Sequence, residues 1–149
     1  MNLRERLRPA GRVFLDTAPV IYFVEENARY LPLMVDVFTA VEAGEITAVT
    51  SPITLVECLI APYQEGNASL RETYVEIVVN ASNTAFVAID SGIGIVAAQY
   101  RAQLNLGVAD ALQVAAAVQS GCTAFLTNDK ALKRIAEIEV LVLDEMLDL

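Results

Sequence analysis

Four carboxylates stand in apolar surroundings: Asp16 in Val13-Phe14-Leu15-Asp16-Thr17, Glu57 in Thr54-Leu55-Val56-Glu57, Asp110 in Val108-Ala109-Asp110-Ala111-Leu112, and Asp129 in Leu126-Thr127-Asn128-Asp129. Most other acids lie on polar faces. Gathered in one pocket, several carboxylates repel one another, and keeping them ionised is costly unless cations compensate. Hard oxygen donors of this kind suit Mg²⁺ or Mn²⁺, which keep waters and share a few carboxylates with substrate phosphate oxygens. The chemistry this permits is phosphodiester cleavage. One ion orients and deprotonates an attacking water, and a second about 4 Å away stabilises the leaving oxygen.

Each residue also has a plainer reading. Asp16 alone could cap the helix that follows a strand. Asp110 and Asp129 could each be first-turn acids favoured by a helix dipole. Glu57, flanked by Ile53, Leu55, Leu59 and Ile60, lies on no obviously polar face and has the strongest claim on its own. Thr127 and Asn128 can hold a water or a phosphate, and turn chemistry explains them equally well. Lys130, Lys133 and Arg134 fit a solvated helix face, with phosphate contact as the second reading.

The elements that must carry these residues alternate short apolar runs with amphipathic segments, the pattern of an α/β domain with a mainly parallel sheet. Strands are expected at Arg12 to Leu15, Ile46 to Thr50, Thr84 to Ile89, Thr123 to Leu126 and Glu139 to Leu143. Helices are expected at Val20 to Glu26, with Pro19 in the first turn, at Pro32 to Ala43, and at Ile53 to Ala61, entered through Ser51-Pro52 and ended with help from Pro62. Further helices span Asn67 to Asn80, a segment capped by Asp90 or Ser91 and reaching Leu104, Ala109 to Gln119, and Asp129 to Ala136. In an open parallel sheet, ligands bind beyond the carboxyl ends of the strands. Asp16 and Asp129 project there from the first and fourth strands, and Glu57 and Asp110 can join them from the starts of their helices.

Composition sets the boundaries. The chain has 149 residues, 55% of them hydrophobic and 19% charged, which suits a single folded domain over 1–149 with a large core. No apolar run approaches the roughly 18 residues of a membrane span, so no membrane role is expected. Residues 1–11 read as a short basic arm, with Arg4, Arg6 and Arg8, and lack the apolar region of a secretory signal. Histidine is absent, which excludes Ser-His-Asp and Cys-His nucleophile systems and imidazole-based zinc sites. Cys58 and Cys122 form no CxxC pair and read as buried free thiols of a cytoplasmic protein. Net charge is −9, which argues against a broad basic surface for nucleic acid.

At these residues the sequence resembles the PIN-domain family, in particular its VapC-type ribonuclease toxins of toxin–antitoxin systems. The motifs run in family order from Val13 to Thr17, through Thr54 to Glu57 and Ala109 to Leu112 with Ala115-Ala116-Ala117, to Leu126 to Asp129. Together they span about residues 12 to 143. The resemblance implies a three-layer α/β/α sandwich around a mainly parallel sheet of about five strands. It implies a Mg²⁺- or Mn²⁺-dependent endoribonuclease in which Asp16, Glu57, Asp110 and Asp129 hold the metal and act in catalysis, with Thr127 assisting. It further implies a homodimer and a small cognate antitoxin lying across the first helices and the acidic pocket.

Ile21, Tyr22, Phe23, Tyr30, Leu33, Met34 and Phe38 are compatible with such an interface, core packing being the alternative. An acidic pocket also accepts a partner's arginine in place of the metal's charge. Ala18 departs from the family, which often has a small hydroxyl residue after the Asp-Thr pair. Two divalent ions would bring the net charge from −9 to −5, so the site attracts phosphate although the whole chain does not. Arg101 or the arm arginines are candidate RNA contacts. The alternative function is a non-catalytic PIN-like module that binds metal or a partner. A receiver-type phosphoacceptor fits poorly, because Thr17 rather than an acid follows Asp16 and Glu57 lies inside a helix.

Overall fold

β-Branched and aromatic runs bounded by turn residues favour strands, and in the computed structural model, which describes residues 2–148, five of them form one sheet. Met1, counted in the expected arm, and Leu149 lie outside the described residues. The strands are β1 (Arg12–Leu15), β2 (Thr47–Thr50), β3 (Thr84–Phe86), β4 (Ala124–Thr127) and β5 (Glu139–Val142). All pairings are parallel, in the order β3-β2-β1-β4-β5. The chain builds outward from β1 to β3 on one side, then returns to the centre and builds from β4 to β5 on the other. The winding therefore reverses between β1 and β4, and such a reversal opens a crevice beyond the carboxyl ends of the two strands.

The period-2 alternation of the strands divides the interior into two cores. Val13 and Leu15 pack with Met34, Val37 and Ala40 on the face covered by α1 (Leu3–Leu7), α2 (Thr17–Val24) and α3 (Leu31–Glu42). That face also carries α4 (Pro52–Gln64) and α5 (Ala68–Val75) through Cys58 and Tyr74. Phe14 and Phe125 point the other way, against Ile93 and Ala97 of α6 (Ser91–Leu104) and Val114 of α7 (Val108–Gln119). The result is the expected α/β/α sandwich. Directly beneath the reversal, the Phe14 and Phe125 rings stack with centroids 5.1 Å apart and planes 10° from parallel. A pair of this kind adds about 0.5–1.5 kcal/mol beyond its buried area.

The structure differs from the sequence expectation at several edges, each for a local reason. Residues 2–11 are mostly helical: Asn2 and Glu5 form a reciprocal capping box over α1, and Leu3 and Leu7, four apart, are fully buried. Arg4 forms a two-bond fork with Glu45 at 2.6 and 2.9 Å, Arg8 approaches the same carboxylate at 3.5 Å, and Arg6 pairs with Glu139 at 3.3 Å. Pro62, expected to help end α4, sits inside it. Its ring costs one backbone bond near the end of the helix, while Glu65 N–H still reaches the Ala61 carbonyl and Asn67 N–H the Pro62 carbonyl, both at 2.9 Å.

The helix from Asn67 breaks after Val75 into a wider π turn over Glu76–Asn80, where the Val78 carbonyl accepts from the buried Thr50 hydroxyl at 2.6 Å. β3 stops at Phe86 because β2 has already turned away into Ser51-Pro52, leaving it no ladder partner. Asp90, not Ser91, caps α6, accepting from Ile93 N–H at 2.9 Å. After Asp129 the chain makes only a 3₁₀ turn over Lys130–Arg134, since it buries Leu132 and Ile135 and must re-enter the sheet as β5 by Glu139.

Two outcomes follow for stability. Leu7→Ala removes a buried anchor of the N-terminal helix and will cost about 2–4 kcal/mol in urea unfolding. The Arg4 fork holds the Glu45 carboxyl below its ordinary value. A lowered carboxyl contributes stability at neutral pH and loses it as pH falls through the folded value. Arg4→Met will thus melt below wild type at neutral pH, and the gap will close in acid, in a thermal-unfolding series.

Candidate active site

The carboxyl ends of β1 and β4 bring Asp16 and the Thr127-Asn128-Asp129 turn together at the winding reversal. The ladder extends one step past the strands, with Asp16 N–H donating to the Leu126 carbonyl at 3.0 Å. Asp16 caps α2: its Oδ1 accepts from Thr17 N–H at 2.9 Å, and its Oδ2 accepts from the Thr127 hydroxyl at 2.8 Å. Thr127 is fully buried, and its Oγ1 accepts in turn from Asp129 N–H at 3.1 Å. A single hydroxyl therefore ties the ends of two strands and spaces two carboxylates. Asp129 caps its own turn, accepting from Ala131 N–H at 3.0 Å, and is exposed.

The other two acids arrive on helices. Ser51 accepts from Ile53 N–H at 3.1 Å and Pro52 occupies the first helical position, so α4 starts directly from β2 and Glu57 falls in its second turn. There Glu57 Oε1 accepts from the Thr17 hydroxyl at 2.7 Å. Asp110 is the third residue of α7 and is partly buried.

Electrostatics connects the four. Burial pushes the Asp110 carboxyl above its ordinary value, and the charges of Asp129 and Glu57 push the same way. Burial also raises Asp16 most strongly. The bonds from Thr127 and Thr17 oppose that rise, while the charges of Asp110 and Glu57 reinforce it. Each acid thus feels, or is felt by, others of the set, which places all four in one electrostatic neighbourhood.

Among the described residues no lysine or arginine neutralises any of them: the ion pairs join Arg4 and Arg8 to Glu45, Arg6 to Glu139, Arg29 to Asp144 and Lys133 to Glu145. The donor set is all carboxylate and hydroxyl oxygen, which fits a hard divalent cation. Among the described residues no three acids or thiols converge tightly enough to enclose an ion by themselves.

Other residues singled out in the sequence have structural tasks. The Asn128 side chain donates to Tyr22 Oη at 3.2 Å and accepts from Asp144 N–H at 2.9 Å, so it anchors the turn, and the turn reading holds over phosphate contact. Lys133 pairs with Glu145 at 2.8 Å, and Arg134 Nε donates to the Ala131 carbonyl at 3.0 Å. Arg101 donates to the Leu106 carbonyl at 2.6 Å, bracing the α6–α7 turn. Of the candidate interface residues, Met34 is fully buried, Tyr22 stacks on Tyr30 and Phe23 on Phe38. Large exposed apolar side chains stand at Val56, Ile60 and Tyr63 of α4, and singly at Val35 of α3, Ile95 of α6 and Val108 of α7. A groove of about 510 Å³ lined by Leu59, Tyr63, Arg71 and Glu72 flanks α4, away from the four acids. Thr17, which holds Glu57, went unassigned in the sequence reading; its hydroxyl directly after Asp16 was the available signal.

The model of the PIN domain family matches residues 13–138, a stretch that contains all four carboxylates. No protein of curated function matches the chain. Among solved structures, VapBC2 from Rickettsia felis bound to a promoter DNA fragment aligns at TM-score 0.70 and 14% identity, over 88% of this chain and 98% of that one. A toxin–antitoxin complex from Klebsiella pneumoniae aligns at TM-score 0.65 and 17% identity, over 88% and 97%. DNA-bound VapBC from Salmonella typhimurium aligns at TM-score 0.62 and 21% identity, over 89% and 98%. At these identities the likeness is one of fold: a parallel sheet wound outward from a central pair of strands. With the four-carboxylate edge inside the matched stretch, the chain belongs to the PIN-domain family.

Proposed function

We propose that this chain is a Mg²⁺- or Mn²⁺-dependent endoribonuclease, the VapC-type toxin of a type II toxin–antitoxin pair. The observation that carries the reading is the set of four acids at the β1/β4 reversal, unpaired with any cation among the described residues. In this reading Asp16, Glu57, Asp110 and Asp129 hold the metal. A bound divalent cation supplies the charge that activates water and neutralises the attacked phosphate. The remaining work falls to the chain itself: Thr127 keeps Asp16 and Asp129 at fixed spacing, and Thr17 orients Glu57.

RNA reaches the acids from the solvent side, where Glu57 and Asp129 are exposed. An antitoxin partner and a homodimer complete the proposal, supported by the fold shared with chains of toxin–antitoxin complexes. The exposed Val56, Ile60 and Tyr63 of α4, the helix that carries Glu57, offer apolar surface for a protein partner. A reducing, cytoplasmic setting suits the two buried free thiols, of which Cys58 is pushed up to about 12 by burial and is inert as a nucleophile. No helix among the described residues is long and apolar enough to cross a membrane.

Purified protein incubated with total cellular RNA will cut at discrete places with Mn²⁺ or Mg²⁺ and not with EDTA. Asp16→Asn and Asp110→Asn will each lower cutting at least about a hundredfold, the scale of losing several kcal/mol of transition-state stabilisation. Metal-independent cutting, or none with the metal bound, overturns the nuclease assignment; the second outcome favours a binding module. The same Asp110→Asn variant will gain stability without metal. A carboxyl raised by burial contributes fully when protonated and loses that contribution as pH rises through the folded value, so its ionised form opposes the fold at neutral pH. The gain will read as a melting temperature above that of metal-free wild type at neutral pH, a gap that closes in acid where the carboxyl is protonated.

A further inference from the structure

Gln113 is the one polar residue between Asp110 and Gln119 on α7, and it is 1% exposed. A buried amide with unused donors and acceptors is costly, so its partners carry the meaning. Gln113 Oε1 accepts from the Ser51 hydroxyl, and its Nε2 donates to Thr54 Oγ1 at 2.7 Å. Both hydroxyl residues are fully buried. Ser51 Oγ accepts from Ile53 N–H at 3.1 Å, and the Thr54 hydroxyl leans on the Leu15 carbonyl at 3.5 Å. The bonds form a relay running in one direction from the start of α4, through the side chain of α7, back to α4 and on to the end of β1.

The ends of this relay coincide with the acids. Leu15 immediately precedes Asp16, Thr54 lies three residues before Glu57 on α4, and Gln113 lies three residues after Asp110 on α7. Three residues on a helix place side chains on adjacent turns of the same face. The relay is thus one turn away from Glu57 and Asp110 and one peptide away from Asp16. α4 and α7 lie on opposite sides of the winding reversal, and their apolar contacts alone allow small sliding adjustments. A bidentate amide with fixed donor and acceptor directions does not, because shifting either helix along its axis breaks one of its two bonds.

We infer that Gln113 is a positioning residue that, through Ser51 and Thr54, sets the separation of Glu57 and Asp110 and so the affinity of the acidic edge for a divalent cation. The inference rests on the metal reading given above and adds a determinant of it outside the carboxylates. Gln113 touches none of the four acids among the hydrogen bonds formed; it acts through the helices that carry them. Support by residues behind the ligands typically changes metal affinity 10–100-fold when removed.

The test is direct titration of the metal-free protein with Mn²⁺, followed by the paramagnetic resonance of the free ion, without RNA. Gln113→Met keeps the volume and removes the amide, and Thr54→Val cuts the relay from the other helix. Each will weaken Mn²⁺ binding about tenfold, and the double variant will bind no more weakly than the worse single one, since both break the same relay. Thr54→Ser retains the hydroxyl and will restore binding to within about threefold of wild type. Val37→Ala, on α3 and outside the relay's hydrogen bonds, lowers the melting temperature and will leave Mn²⁺ affinity unchanged. Loss of stability in Gln113→Met and Thr54→Val with wild-type Mn²⁺ affinity overturns the inference and leaves the nuclease reading standing. Failure of the wild type itself to bind Mn²⁺ overturns both.

Discussion

Holding four carboxylates at one sheet edge, two of them partly buried, is the constraint around which this structure is organised. Nothing in the hydrophobic effect gathers Asp16, Glu57, Asp110 and Asp129; burial raises Asp16 and Asp110, the charges of neighbouring acids add to that rise, and both work against folding. The energy that holds them must come from elsewhere in the chain. It comes from the two cores on either side of the sheet, from the stacked Phe14 and Phe125 directly beneath the reversal, and from a parallel ladder that continues into Asp16. A site that opposes its own fold needs a rigid base, and the central strands β1 and β4, flanked on both sides and covered on both faces, are the most rigid place available.

In the proposed nuclease reading, the charge arrangement also reconciles an acidic chain with a polyanionic substrate. At net −9 the surface as a whole repels RNA, so association through a broad basic face is closed to it. Attraction must be local and supplied by the cation that the acids demand. The arginines that could have formed a basic patch are largely spent: Arg4, Arg6 and Arg8 face Glu45 and Glu139, and Arg101 braces a turn. The same logic admits a protein inhibitor that presents a single cationic side chain to the acidic edge while covering apolar residues of α4.

The fold and the four acids were legible because their signals are local. Alternating runs at Arg12–Leu15 and Ala124–Thr127, the Ser51-Pro52 helix start and the Asp residues at strand ends each carry their meaning within a few residues. What the sequence concealed depends on contacts between distant segments. Leu3 and Leu7 looked like interruptions in a basic arm because their partners lie in α3 and the sheet, and four arginines within residues 1–12 masked the four-residue spacing. The lone Gln113 in an alanine-rich helix gave no hint of its partners 59 and 62 residues away. Pro62 misled because proline usually ends a helix, whereas here the one bond its ring removes is outweighed by those that Glu65 and Asn67 still make to Ala61 and Pro62. In the aromatic cluster from Tyr22 to Phe38, the stacking between neighbouring helices leaves no trace in either helix alone, and Tyr22, Phe23 and Phe38 stay partly exposed.

The four acids differ in how their charge is supported, and the differences form a gradient from interior to solvent. Asp16 is the most constrained, its two oxygens held by the Thr17 amide and the Thr127 hydroxyl, and it is fixed to the backbone of a central strand. Asp110 is partly buried and raised with no hydrogen bond to its side chain among those formed, which leaves its oxygens the freest to turn toward a cation. Glu57 and Asp129 are exposed, so water supports their charge when no cation does. In the proposed metal-dependent reading, an inner acid that cannot move defines where a cation would sit, and outer acids that water can stabilise would let it enter and leave. The helices complete the division: the strands fix Asp16 and Asp129 in space, while α4 and α7 bring Glu57 and Asp110 to them at a distance that side-chain packing alone would leave loose. A buried polar bridge between those two helices is therefore placed where geometry has the most to gain from one.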